Sequence, residues 1–115
     1  MMRRRLLLAA AALPLGLATG ARSEERVVRI ASRKFVFEPD EVTLKAGEPV
    51  VLELTTADVH MGFKAVDLGL RADILPGRVT RLRLTPQTAG TFPFFCDVFC
   101  GDDHELMSGT LTITA

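Results

Sequence analysis

The sequence predicts an all-β domain, a sandwich or barrel of short strands. Three observations predict it. Apolar and polar residues alternate with a period of two in run after run, while no stretch repeats at the helical period. Clusters of Gly, Pro and Asp punctuate these runs at short intervals. Hydrophobic residues make up 48% of the 115, enough for one packed core and too many for a disordered tail.

The runs follow one another along the chain. Val28 and Ile30 alternate within Arg26–Ala31, and Phe35 and Phe37 alternate in the next run, which Pro39 ends. Val42 and Leu44 precede a turn at Ala46-Gly47. Val50, Leu52 and Leu54 share one face of a strand, with Val51, Glu53 and Thr55 on the other. Thr80, Leu82 and Leu84 alternate with Arg81 and Arg83. A strand over Thr91–Phe95 is followed by one over Gly109–Thr114, where Leu111 and Ile113 alternate with threonines. Between these runs lie Glu38-Pro39-Asp40, Gly47-Glu48-Pro49, Leu75-Pro76-Gly77 and Thr85-Pro86.

The N-terminus reads as an address. Met-Met-Arg-Arg-Arg leads into an apolar run from Leu6 to Leu17, then into Ala18, Thr19, Gly20 and Ala21. A charged start, a short apolar centre and a small-residue exit describe a secretory signal over residues 1–23, cut between about residues 20 and 23. A spanning helix needs roughly 20 apolar residues, and this run is shorter and carries Pro14 and Gly16. The expectation is a domain over residues 24–115, periplasmic or secreted, with no stable membrane insertion after cleavage. The charge balance changes with the leader. The whole chain has 14 basic and 14 acidic side chains, but four arginines fall in the leader and leave 10 basic against 14 acidic. Such a surface has no basic field to hold nucleic acid. With Cys 2 in the composition, a multi-disulfide scaffold is excluded as well.

The chemistry is concentrated between Cys96 and Met107, in the spacing Cys-x3-Cys-x3-His-x2-Met: Cys96, Cys100, His104 and Met107. Thiolate and thioether are soft donors and, with imidazole, favour copper over calcium or magnesium. Zinc accepts two Cys and a His but gains nothing from a Met. Strands on both sides would hold the loop rigid, which suits an ion whose two redox states prefer different geometries. Phe63, Phe94, Phe95 and Phe99 are candidates for an apolar shell around it. Taken singly the residues have plainer readings: Cys96 and Cys100 as a disulfide, Met107 as core, His104 as a surface histidine. The four together favour copper.

At these residues the chain resembles the copper A loop of cytochrome c oxidase subunit II and nitrous oxide reductase, carried on the cupredoxin fold. The likeness extends to Phe35-Val36-Phe37-Glu38-Pro39, Lys45-Ala46-Gly47-Glu48-Pro49-Val50, Asp58-Val59-His60-Met61-Gly62-Phe63, the stretch from Arg71 to Gly77, and Ala89-Gly90-Thr91-Phe92. It implies a Greek-key β-sandwich or barrel with Cys96 and Cys100 bridging two copper ions. It also implies His104 and Met107 as ligands and the backbone carbonyl of Val98 as a weak one. Where the oxidase has a glutamate that helps hold magnesium, this chain has Val98. The family's other histidine would fall at residue 61, yet the chain reads His60-Met61. Neighbouring strand residues face opposite sides, so parity groups Val59, Met61 and Phe63 and leaves His60 with Gly62. Register favours Met61 and two-copper chemistry favours His60; the expected ligand is His60, with Met61 competing for the same position. The oxidase's aromatic cluster for electron entry has no counterpart, since Trp and Tyr are absent.

The resemblance implies a periplasmic electron carrier with copper as cofactor, one or two ions. It would have no substrate chemistry of its own, hence no enzyme activity. Its partner would be a redox protein such as a c-type cytochrome or a terminal oxidase or reductase. The competing readings are a copper chaperone or store, a mononuclear blue copper carrier, and a metal-free disulfide-linked module.

Overall fold

Period-two patterning builds the fold directly. The computed structural model describes residues 25–115; the expected leader over residues 1–23 lies outside the described residues. The strands are β1 (Arg26–Arg33), β2 (Val36–Glu38), β3 (Glu41–Lys45), β4 (Val50–Thr56), β5 (Met61–Ala65), β6 (Leu70–Ile74), β7 (Thr80–Leu84), β8 (Gly90–Phe95) and β9 (Ser108–Thr114). They form two sheets, ordered β2-β1-β4-β7 and β3-β9-β8-β5-β6, packed as a two-layer β-sandwich. Two parallel pairings, β1 with β4 and β3 with β9, join segments distant in sequence, and the other pairings are antiparallel.

Alternation decides what faces the core. In β1, Ile30 and Ser32 are buried between exposed neighbours, and the Ser32 hydroxyl donates to the Thr55 carbonyl at 2.6 Å. That bond matters because a buried hydroxyl without a partner is costly. β3 buries Val42 and Leu44, and β9 buries Leu111 and Ile113. Val50, Leu52 and Leu54 of β4 point inward, as their pattern predicts, and Val51 is buried too. At the centre Phe63 and Phe94 stack with ring centroids 4.7 Å apart, and Phe37 meets Phe94 edge-on at 5.0 Å.

Leu70–Ile74 forms a further strand, pairing antiparallel with β5. Two expectations are corrected. Val59 precedes β5 and is exposed, so it does not share a buried face with Met61 and Phe63. Phe95 and Phe99 are exposed, Phe99 at 76%, and leave Phe63 and Phe94 as the buried aromatics of the proposed shell. Phe95 follows the inward Phe94 on one strand and must face outward. Among the described residues no helix is long and apolar enough to cross a membrane.

Candidate metal centre

The donor loop hangs between two paired strands. β8 and β9 run antiparallel to the Phe95↔Ser108 pair, and the Cys96 amide then donates to the Met107 carbonyl at 3.1 Å, closing the loop at its base. Strand parity carries on past the ladder: Phe94 in, Phe95 out, Cys96 in. A short 3-10 turn over His104–Leu106 returns the chain, with the Met107 amide bonded to the His104 carbonyl at 3.2 Å. That turn presents His104 and Met107 to the same side. Gly101, with φ of 145°, lies under the Phe35 ring, where a Cβ would come within 2.8 Å of ring carbons. A side chain there would meet both strain and the ring.

The four loop donors converge. The Cys96 and Cys100 sulfurs are 3.9 Å apart, and Cys100 Sγ lies 4.0 Å from both His104 Nδ1 and Met107 Sδ. The donor atoms of Cys96, Cys100 and His104 all fall within 4.8 Å of one another. The Cys96 thiol also donates to the Val98 carbonyl at 3.2 Å, so this oxygen faces the same centre. A thiolate sits about 2.3 Å from a metal, so two thiolates sharing an ion lie at most about 4.6 Å apart. The observed spacing fits that, and it is far beyond the roughly 2.05 Å of a disulfide. Both thiols are free and buried. Burial, then the charge and hydrogen bond of Cys96, push the Cys100 thiol up to about 11.

The two remaining candidates part company. Met61 opens β5 on the inner face, 0% exposed, in the same buried cluster as Cys96, Cys100 and Met107. His60 stands outside, with Nε2 3.0 Å from Asp73 Oδ1. The strand phase that turns Met61 inward turns His60 outward. His60 and Arg71 hold the Asp73 carboxyl below its ordinary value by hydrogen bonding. Arg71 also forks onto Asp97, Nε to Oδ2 at 2.7 Å and Nη2 to Oδ1 at 3.0 Å. Sequence reasoning missed this pair. Its partners stand 26 residues apart, and the available signal was Gly62, a glycine inside a strand, which marks a close approach.

Around the half-buried His104 the surface is apolar and acidic. Phe99 and Leu106 are 76% and 74% exposed, and the Phe99 ring lies 5.7 Å from the His104 ring. Asp102, Asp103 and Glu105 are exposed in the same stretch.

Comparison with known proteins agrees with this fold. The family model described as "Cupredoxin-like domain" matches residues 6–113. Cytochrome c oxidase subunit 2 of Thermus thermophilus is 28% identical over 86 residues, 75% of this chain and 64% of the relative's length. The chain thus spans less than two thirds of that relative. Among solved structures, the periplasmic domain of subunit II of cytochrome oxidase of Bradyrhizobium japonicum superposes with a TM-score of 0.73 at 16% identity, covering 83% of this chain and 88% of that one. The metal-binding domain of the Cu(I)-exporting P-type ATPase CopA of Streptococcus pneumoniae, solved with Cu(I), gives 0.66 at 21% identity, covering 83% and 93%. A match over nearly the whole chain, on a two-sheet sandwich with its cysteines, histidine and methionine gathered in one loop, means that this chain belongs to the cupredoxin-like domain family and resembles subunit 2 of cytochrome c oxidase.

Proposed function

We propose that this chain is a periplasmic copper-binding electron carrier whose centre is held by Cys96, Cys100, His104 and Met107, with the Val98 carbonyl as a weak ligand. One observation carries the reading: these donors, two thiols, an imidazole and a thioether, converge within about one coordination sphere at a loop fixed at both ends. Bound copper supplies a one-electron couple. The chain does the rest. The buried cysteines and Met107 keep water from the site, and the soft sulfur donors together with the imidazole would hold copper in both redox states. The β8–β9 base keeps the donors in place in both states, which lowers the cost of each transfer.

The half-buried His104, flanked by exposed Phe99 and Leu106, is the route by which an electron reaches the surface. The acidic residues near it suit a basic redox protein such as a c-type cytochrome. In this reading the chain passes electrons and carries out no substrate chemistry of its own. Metal analysis and paramagnetic resonance of the copper-loaded protein test the reading. A stable coloured centre with reversible redox is expected, and a protein that retains no copper after desalting would refute it.

A second reading is favoured by the opposite orientations of His60 and Met61. With the histidine outside and Met61 buried in the same core as the two cysteines, a sulfur-rich inner side suits a single copper(I) ion held for delivery. In that case the loaded protein is colourless and gives its ion to an acceptor. A resonance signal coupled to two copper nuclei favours the binuclear carrier.

A further inference from the structure

Asp97 lies between Cys96 and Val98, yet its carboxylate is turned away from the donors. It accepts both arms of the Arg71 fork, at 2.7 and 3.0 Å, and Arg71 donates its remaining nitrogen to Asp73 at 2.8 Å. Two parallel bonds between a planar guanidinium and a carboxylate fix orientation as well as distance. The bridge spans from β6 over β5 to the loop beyond β8. It crosses at Gly62, whose missing side chain leaves the space: a Cβ there would collide with Asp97 Oδ1 and lie 3.2 Å from Arg71 Nη2. The backbone at Gly62 is not among the positive-φ glycines, so clearance is what the position requires.

The bridge also sits where the main-chain ladder gives out. β5 and β8 pair at Lys64↔Phe95, while the other flank of β8 is tied to β9 up to Phe95↔Ser108 and then by the Cys96 amide. Among the described residues, the tie across the β5 flank beyond Phe95 is the Arg71–Asp97 bridge.

We propose that Arg71 and Asp97, meeting over Gly62, are positioning residues that clamp the Cys96-Asp97-Val98 segment and so set where the Cys96 sulfur and the Val98 carbonyl stand in the centre. The clamp acts from the outer face of the sheet while the donors lie on the inner face, so it holds the ligands without touching the ion. Its effect on the loaded centre rests on the copper reading above; its effect on Cys96 itself does not.

Three variants of the full chain test it: Asp97→Asn, Arg71→Met and Gly62→Ala. The last keeps both charges and blocks their meeting. In the metal-free protein, the rate of Cys96 alkylation by iodoacetamide is measured. In the copper-loaded protein, copper(I) retention against bathocuproine and the sulfur-to-copper absorption of the oxidised form are measured. Each variant should alkylate at Cys96 about tenfold faster, hold copper about tenfold more weakly and shift the absorption band, as losses of groups that orient ligands do. Arg71→Lys should fall between, since an ammonium cannot fork. Thermal melts of the metal-free forms check folding, and the near-isosteric Asp97→Asn decides if the others do not fold. Folded variants that match the parent in alkylation rate, retention and spectrum overturn the proposal. A parent that takes up no copper refutes the copper reading instead, and the alkylation rates still decide the clamp.

Discussion

The Cys100 thiol is buried beside Cys96, and its pKa is pushed up to about 11. Copper must displace protons to bind at neutral pH, so its apparent affinity should weaken as the pH is lowered, measured by chelator competition. The sign for the metal-free fold is the opposite. A pKa raised from 9.0 contributes stability below 9.0 that is lost as the pH climbs towards about 11, which denaturant titrations across that window would show. Cys96 offers the second thiolate. Cys96→Ser should abolish any resonance signal coupled to two copper nuclei and leave at most a one-copper centre. The neighbours His60 and Met61 give the sharpest contrast. His60 is bonded to Asp73 on the outer face, so His60→Ala should leave copper retention unchanged. Met61→Leu removes the thioether at a packing cost under about 1.5 kcal/mol and, on the single-copper(I) reading, should weaken copper(I) retention. The reverse pattern would mean that His60 turns inward when the metal binds.

Strands β8 and β9 place the donors, and their packing is tight where they meet. A Cβ at Gly109 would collide with the Phe94 ring and come within 2.6 Å of the Asp40 carbonyl oxygen. Gly109→Ala should therefore destabilise by about 1–3 kcal/mol, as overpacking does. Phe94, stacked on Phe63 and fully buried, should cost about 3–5 kcal/mol when cut to Ala. Urea titrations with a constant slope would verify both. The same elements show what could be read without coordinates. Leu111 and Ile113 alternate with threonines, and Val50, Leu52 and Leu54 with other residues, so β9 and β4 are visible as period-two runs. In Leu70–Ile74 the apolar positions are Leu70, Ala72 and Ile74, and the small Ala weakens the signal. In Met61–Ala65 the inward positions are Met61, Phe63 and Ala65, and Gly62 on the outer face, where Asp97 and Arg71 approach closely, adds no polar side chain to mark the alternation.

In the whole molecule the sandwich is a frame for one loop. The parallel β3–β9 pair ties residues 41–45 to residues 110–114 and anchors the strand on which the loop ends. A domain this small has limited surface to bury, so copper that binds only the folded state should raise its stability, by about 2.7 kcal/mol at a free concentration one hundred times the dissociation constant. Calorimetry of loaded and chelator-stripped protein should give a higher melting temperature for the loaded form. Equal temperatures would mean that the loop is not a metal site of the folded protein.

The amino-acid order alone determined the all-β class and most strand positions, and singled out Cys96, Cys100, His104 and Met107 as a candidate donor set, because each depends on residues close together in the chain. Tertiary structure alone decided that Met61 turns in and His60 out, that Phe95 and Phe99 are exposed, and that Arg71 reaches Asp97 over Gly62. Strand phase and contacts between distant segments fix these features, and both exist only after β5, β6 and β8 have paired.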